Sequence, residues 1–208
     1  MRKSSGYFAA IFSVVIALVS LFVAYLANGK LISTVYSTDL LRFGAADGTI
    51  WQKGEIWRIL TSQFVHAKQG HMFFNVAICW MLGACLERIL GSIRFTVVYW
   101  LGGTIGLLSS LLAYPQLVSS GSSQALMALC AGIFVLKRKG VQIPKAVMMT
   151  NLAAFILQTG LDLYVNHFPK AGHVAGFFSG GLICWVFLRK PVSNPISVEM
   201  RNHIHADA

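Results

Sequence analysis

Apolar runs of about twenty residues, divided by short charged breaks, constrain this chain more than any other feature. A helix rises about 1.5 Å per residue, so roughly 20 apolar residues are needed to cross about 30 Å of hydrocarbon. Residues 7–27 meet that length without a charge, and 71–86, 95–114, 123–136, 146–165 and 171–188 follow as candidate spans. The breaks between them fall at 88–94, 115–121, 137–140 and 166–170. Only 12% of the 208 residues are charged and 56% are hydrophobic, whereas a soluble domain carries about 25% charge. Too little polar surface remains to coat a water-soluble particle, and disorder needs the opposite balance. The expected fold is all-α: a polytopic membrane protein with six transmembrane helices.

The first run is longer than a signal-peptide core of about 7–15 residues, and no A-x-A site follows it. It is therefore read as a retained helix. Between the first two spans, residues 28–70 are too polar to cross, yet they hold Trp51, Trp57 and many apolar side chains. An ordered interfacial loop fits that composition. The domain organisation expected is one membrane domain over 1–190 and a short polar tail over 191–208, where His203 and His205 lie in solvent.

A net charge of +10, from 17 Lys+Arg against 7 Asp+Glu, would suit nucleic acid only if it gathered on one stripe. It is instead divided among the breaks. Arg2, Lys3, Arg88, Arg94, Lys137, Arg138, Lys139, Lys145, Arg189, Lys190 and Arg201 fall on one side. Lys30, Arg42, Lys53, Arg58, Lys68 and Lys170 fall on the other, spread over longer loops. The positive-inside rule then places both termini in the cytoplasm of a cell-membrane protein. No nucleic-acid partner is expected. Cys79, Cys85, Cys130 and Cys184 all lie in apolar segments, as free hydrophobic thiols do.

The fourth span is too short. Fourteen residues rise only about 21 Å, so its outer end must lie below the surface if Lys137–Lys139 pin the inner one. Val118, Ser119, Ser120, Gly121 and Ser122 then descend as non-helical backbone, which is tolerated only when buried by protein or facing a water-filled cavity.

Polar residues within spans are functional candidates by default. His71 and Asn75 are four apart on the second span, Ser123 opens the fourth, and His173 heads the sixth ahead of Gly176 and Gly180. All three spans enter from outside, so these side chains share one depth. A serine hydroxyl becomes a useful nucleophile when a neutral histidine takes its proton. Free N–H groups at a helix start, with Asn75 and His71, are candidates for holding an oxyanion. Asp162 and Glu87 are the only acids near spans and neither is an obvious third member, so a Ser123–His173 dyad is expected. Ser122 and Ser123 are also ordinary helix caps. The spacing of His66 and His71 is not His-Glu-x-x-His and no third ligand is evident, so no metal and no cofactor is expected.

These residues resemble the rhomboid family of intramembrane serine proteases. The resemblance rests on Gly121-Ser122-Ser123, His173-x-x-Gly176-x-x-x-Gly180, Trp57-Arg58, His66-x4-His71-x3-Asn75, Gly83-x-x-Leu86-Glu87 and Gly91. It covers about residues 55–188. It implies a six-helix rhomboid-like bundle with a short central fourth helix and a membrane-embedded loop between helices 1 and 2. It also implies Ser123 as nucleophile, His173 as base, and Asn75 and His71 at the oxyanion, with His66, Trp57 and Arg58 structural. Two positions depart from the family pattern: Gln124 stands where glycine usually follows the serine, and Gly172 where alanine commonly precedes the histidine. Gln124 either crowds the sixth helix or lends a donor.

The function expected is hydrolysis of a peptide bond in or near the membrane segment of single-pass protein substrates, at a site opening to the external side. The alternative is a catalytically impaired relative that grips transmembrane helices without cutting. A channel or transporter fits less well, because the polar residues gather at one end and trace no path across.

Overall fold

The computed structural model describes residues 6–164 and 170–189. The polar tail, with His203 and His205, and the break before Lys170 lie outside the described residues. Within them the chain is helical: α1 Tyr7–Asn28, α2 Ser37–Arg42, α3 Ile50–Lys53, α4 Arg58–Thr61, α5 Gln69–Leu90, α6 Ser92–Ala113, α7 Ser123–Arg138, α8 Lys145–Tyr164 and α9 Ala171–Phe187. Among the described residues no strand forms; the one bridge pairs Ala46 with Ser119. Four helices, α1, α5, α6 and α8, are long and apolar enough to cross a membrane, and α9 is a shorter apolar helix. Large apolar side chains such as Leu18, Phe22, Ile93, Leu112 and Phe178 point outward, as they do where lipid is the solvent.

α7 occupies the centre. It packs against α5, α6, α8 and α9, and every residue from Ser123 to Ile133 is buried. A helix apolar or small on all sides belongs inside a bundle. At 16 residues it spans only about 24 Å. Glycines let its neighbours approach. A Cβ on Gly102 of α6 would fall 2.3 Å from the Ala128 Cβ, and one on Gly176 of α9 would fall 2.4 Å from the Gln124 carbonyl. Such contacts replace the hydrophobic drive that helices lack inside lipid.

The charged break expected at 88–94 is far narrower. α5 runs to Leu90 and α6 starts at Ser92, with only Gly91, at φ 85°, between them. Glu87 is buried there, accepting the Ala9 N–H at 3.0 Å and the Ser92 hydroxyl at 2.7 Å. It fastens α1 and α6 to α5, so this acid has a structural post.

The 28–70 segment is ordered, as its composition requires. Val35, Leu40, Ala45 and Val65 pack with Val23 and Ala24 of α1. Arg58 donates to the Leu41 and Ala45 carbonyls and pairs with Glu55. Above all, the segment supplies partners for the non-helical chain before α7. Ala46 and Ser119 exchange N–H···O bonds of 3.0 and 2.7 Å, Gly48 donates to Pro115, and Gly121 donates to Ser62 at 2.8 Å. The irregular backbone ahead of Ser123 is thereby satisfied by protein.

Candidate active site

The turn into α7 depends on Gly121, whose φ of 102° lies where side chains are rarely tolerated. A Cβ there would also press on the His66 ring at 3.3 Å. Ser122 follows at the N-cap, but its side chain makes no capping bond. Ser123 then opens the helix, among N–H groups that have no acceptor within the first turn.

The structure brings Ser123 and His173 together. Ser123 Oγ lies 2.8 Å from His173 Nε2, with the two residues 6% and 3% exposed. A serine and a histidine fifty positions apart meet because α9 lies tightly along α7, through Gly176 and Gly180. Of the two settings open to the start of the fourth span, burial by protein and a water-filled cavity, the structure shows burial of Ser122, Ser123 and Gln124.

The far side of the imidazole holds an acid to which the sequence reading gave no role. Asp162 of α8 places Oδ2 2.5 Å from His173 Nδ1 and is itself 2% exposed. Gln158, one turn earlier, sets its amide nitrogen 3.5 Å from Asp162 Oδ1 and 3.4 Å from His173 Nδ1. Asp162, which was not an obvious third member in the sequence, is thus a buried acid against the expected Ser123–His173 dyad. The acid could not be placed from sequence because only the register of α8 against α9 aims it at the ring.

Asn75 is fully buried and shares a small cavity with Ser123, Phe74, Ile78, Met127 and Gln158. Its Nδ2 donates to His66 Nε2 at 2.9 Å. His66 is fixed on its other edge: the Ser20 hydroxyl donates to the Phe64 carbonyl at 2.7 Å and so accepts from His66 Nδ1 at 2.8 Å. That tautomer leaves Nε2 as acceptor for both Asn75 and the Ser122 N–H, the latter at 3.4 Å. His66 thus orients an oxyanion candidate from below. His71 is only partly buried and lies with its ring centroid 5.9 Å from that of His66, and it makes no hydrogen bond to Ser123 in this structure. Among the described residues no cluster of His, Cys, Asp or Glu is arranged to hold a metal.

Gln124 does not wedge α9 away. Its Cβ and Cγ fill the space that Gly106 and Gly172 leave open, since a Cβ on those glycines would fall 2.7 Å from Gln124 Cβ and 3.1 Å from Gln124 Cγ. Its amide nitrogen reaches toward Ser119 Oγ at 3.5 Å. A Cβ on Gly172 would meet Ser110 Oγ and the Gly106 carbonyl of α6 before it met Gln124, so the small residue before the histidine is required first by the approach of α6.

Residues 53–190 match the Rhomboid domain. The chain is 28% identical over 142 residues to Rhomboid protease GluP of Bacillus subtilis (strain 168), covering 68% of this chain and 28% of that protein. It is 30% identical over 164 residues to RHOMBOID-like protein 7 of Arabidopsis thaliana, covering 74% of this chain and 50% of the relative. Inactive RHOMBOID-like protein 8 of the same plant is 30% identical over 142 residues, covering 66% of this chain and 40% of that one. The chain spans half or less of the length of these three relatives.

Proposed function

The chain belongs to the rhomboid family, and we propose that it is an intramembrane serine protease with Ser123 as nucleophile and His173 as general base. The observation that carries this reading is the 2.8 Å contact between Ser123 Oγ and His173 Nε2 at a buried helix start. Ser123 Oγ attacks the scissile carbonyl carbon as its proton passes to Nε2. The oxyanion is held by the Ser123 backbone N–H and by Asn75 Nδ2, whose second hydrogen is not used by His66; His71 is a further candidate. The imidazolium then protonates the leaving amine. A water, deprotonated by the same nitrogen, releases the acyl group from Ser123. The chemistry invokes no metal or cofactor.

In this reading α1, α5, α6, α7, α8 and α9 are six spans of one domain in the cell membrane, and 28–70 is embedded in the lipid. The charge distribution supports cytoplasmic termini and a site toward the external side. Substrates are single-pass membrane proteins, since a nucleophile at the head of a short central helix reaches only a bond that comes down to it.

The competing reading is a relative that binds membrane helices without cutting them; one similar protein is named inactive, and Gln124 departs from the usual glycine. A fluorophosphonate probe on the purified protein separates the two. The protease reading expects covalent labelling that is lost in Ser123→Ala. A folded wild-type protein that stays unlabelled would leave only the binding role.

A further inference from the structure

The geometry points to Asp162 as a positioning residue for His173, which makes the proposed pair a three-member relay that is complete only while α8 is seated against α9. The inference rests on the protease reading and deepens it.

Ser123 can give its proton to His173 Nε2 only if that nitrogen carries none. The neutral ring must then hold its hydrogen on Nδ1, and that hydrogen needs an acceptor. Asp162 Oδ2, 2.5 Å away, is the acceptor. A carboxylate 2% exposed is costly unless bonded, and its bonds here go to the imidazole and to Gln158. With Nδ1 protonated, the bond that the Gln158 amide can make is the one to Asp162 Oδ1, which holds the carboxylate from turning. His71 of α5 is close enough to interact electrostatically with both His173 and Asp162, and Lys170 and Lys68 act on His71 in turn.

The placement of Asp162 carries the second half of the inference. It sits on neither reacting helix but on α8, whose buried residues are Asn151, Ala154, Gln158 and Asp162. These lie at intervals of three, four and four, one face of a helix, and three of the four are polar. At the site end Gln158 and Asp162 tie α8 to His173 by polar contacts, while further along the helix Ala154 and Phe155 pack apolarly, Phe155 against Phe134 and Phe177. When the proton moves from Ser123 Oγ to Nε2, the ring becomes an imidazolium while Nδ1–H stays bonded to a carboxylate that remains ionised. A hydrogen bond from a neutral ring to a carboxylate becomes an ion pair in surroundings poor in water, and it strengthens as the tetrahedral intermediate forms. A displaced α8 would leave the Ser123–His173 pair without its orienting partner.

The test compares wild type, Asp162→Asn and Gln158→Leu on one membrane substrate, with the fluorophosphonate labelling rate measured alongside. Asn keeps the shape but favours the wrong ring tautomer, so kcat and labelling should fall about 10²- to 10⁴-fold while KM stays within about threefold. Gln158→Leu should lower kcat about tenfold, also at constant KM. ¹⁵N spectra of the wild-type histidines need no variant to fold, and should show His173 protonated at Nδ1. Wild type labelled at Ser123 with Asp162→Asn equally fast, or His173 protonated at Nε2, would overturn the relay and leave the protease standing. A wild type inert to the probe would bring down both.

Discussion

Gly180 of α9 meets Ala128 of α7 so closely that a methyl group on the glycine would sit 2.3 Å from the alanine Cβ and 2.4 Å from its Cα. Seven residues before Gly180 stands His173, and five before Ala128 stands Ser123. The 2.8 Å contact at the site is therefore held by a backbone-close contact further along the same two helices. Gly180→Val must push α9 outward, and overpacking of this kind costs about 1–3 kcal/mol. Activity should drop sharply together with Tm. Gly160→Ala on α8 is the control: nothing lies within 4 Å of its Cβ, and Tm should stay within the effect of about 1 kcal/mol expected for helix propensity alone. Thermal melts in detergent beside cleavage rates decide the comparison, and a wild-type-like Gly180→Val would refute the close-contact account.

Ser123→Ala and His173→Ala should each abolish cleavage without unfolding the protein. Groups that act as one unit lose activity non-additively, so the double variant should be no worse than either single one. Independent, multiplying losses would show that the two residues do not work together. Asn75→Ala should lose roughly 10²–10³ in kcat as one oxyanion donor goes. His66→Ala should follow it at about tenfold, because Asn75 then loses the ring that orients it. Treatment with chelators should change nothing.

That the chain is built of apolar helices was legible because apolar length is a one-dimensional property, and four of the helices are long and apolar enough to cross a membrane. Gly176 and Gly180, three and seven residues after His173, announced a close neighbour, and α7 is that neighbour. Two things were not legible. Arg88 and Arg94 read as a wide break, but charged side chains can leave a helix for the interface while its backbone continues, so Gly91 alone makes the turn. Asp162 was seen but not placed. Its role depends on how α8 is rotated relative to α9, which no local pattern encodes. The one available signal was the spacing of Asn151, Gln158 and Asp162, a polar stripe on a helix otherwise fit for lipid.

Arg58 and Glu55 should behave unequally when changed, although they form one ion pair at 2.8 Å. Arg58 also donates to the Leu41 and Ala45 carbonyls, so Arg58→Ala leaves partly buried acceptors unmet at a cost of about 1–3 kcal/mol. Glu55→Gln loses only the charge of a partly exposed partner and should hardly move Tm. The bond from Arg58 holds the Glu55 carboxyl below its ordinary value of 4.5. A group with a depressed folded pKa contributes above its unfolded value and loses that contribution as pH falls. Stability of wild type and Glu55→Gln should therefore coincide more closely in acid, below about pH 4.5, than at neutral pH. Limited proteolysis within 28–70, together with Tm across pH, reads both effects; equal losses for the two variants would contradict this division of roles.

The final prediction concerns how a substrate gets in. Ser123 is 6% exposed and His173 3%, so the closed site cannot admit a helix without some element moving. Carbonyls in an intact substrate helix are also hydrogen-bonded and shielded, so the segment must unwind locally before Oγ reaches one. Substrates should carry small residues at the cut and Gly or Pro just beyond it, and replacing those breakers with Leu should slow cleavage. α8 is the expected gate, since it buries so few residues and flanks the cavity shared by Ser123 and Asn75. Thr150 of α8 touches Met81 of α5, Oγ1 to Sδ 3.5 Å, which makes that pair the place for an engineered disulfide in a background without native cysteines. Oxidising Met81→Cys/Thr150→Cys should slow the cutting of helical substrates and recover on reduction. Labelling by a small fluorophosphonate should stay near its reduced rate, because a tethered α8 keeps Asp162 on His173. Undiminished cleavage in the oxidised protein would remove α8 as the gate, and a labelling rate that falls with the tether would mean that the seated position is not the reactive one.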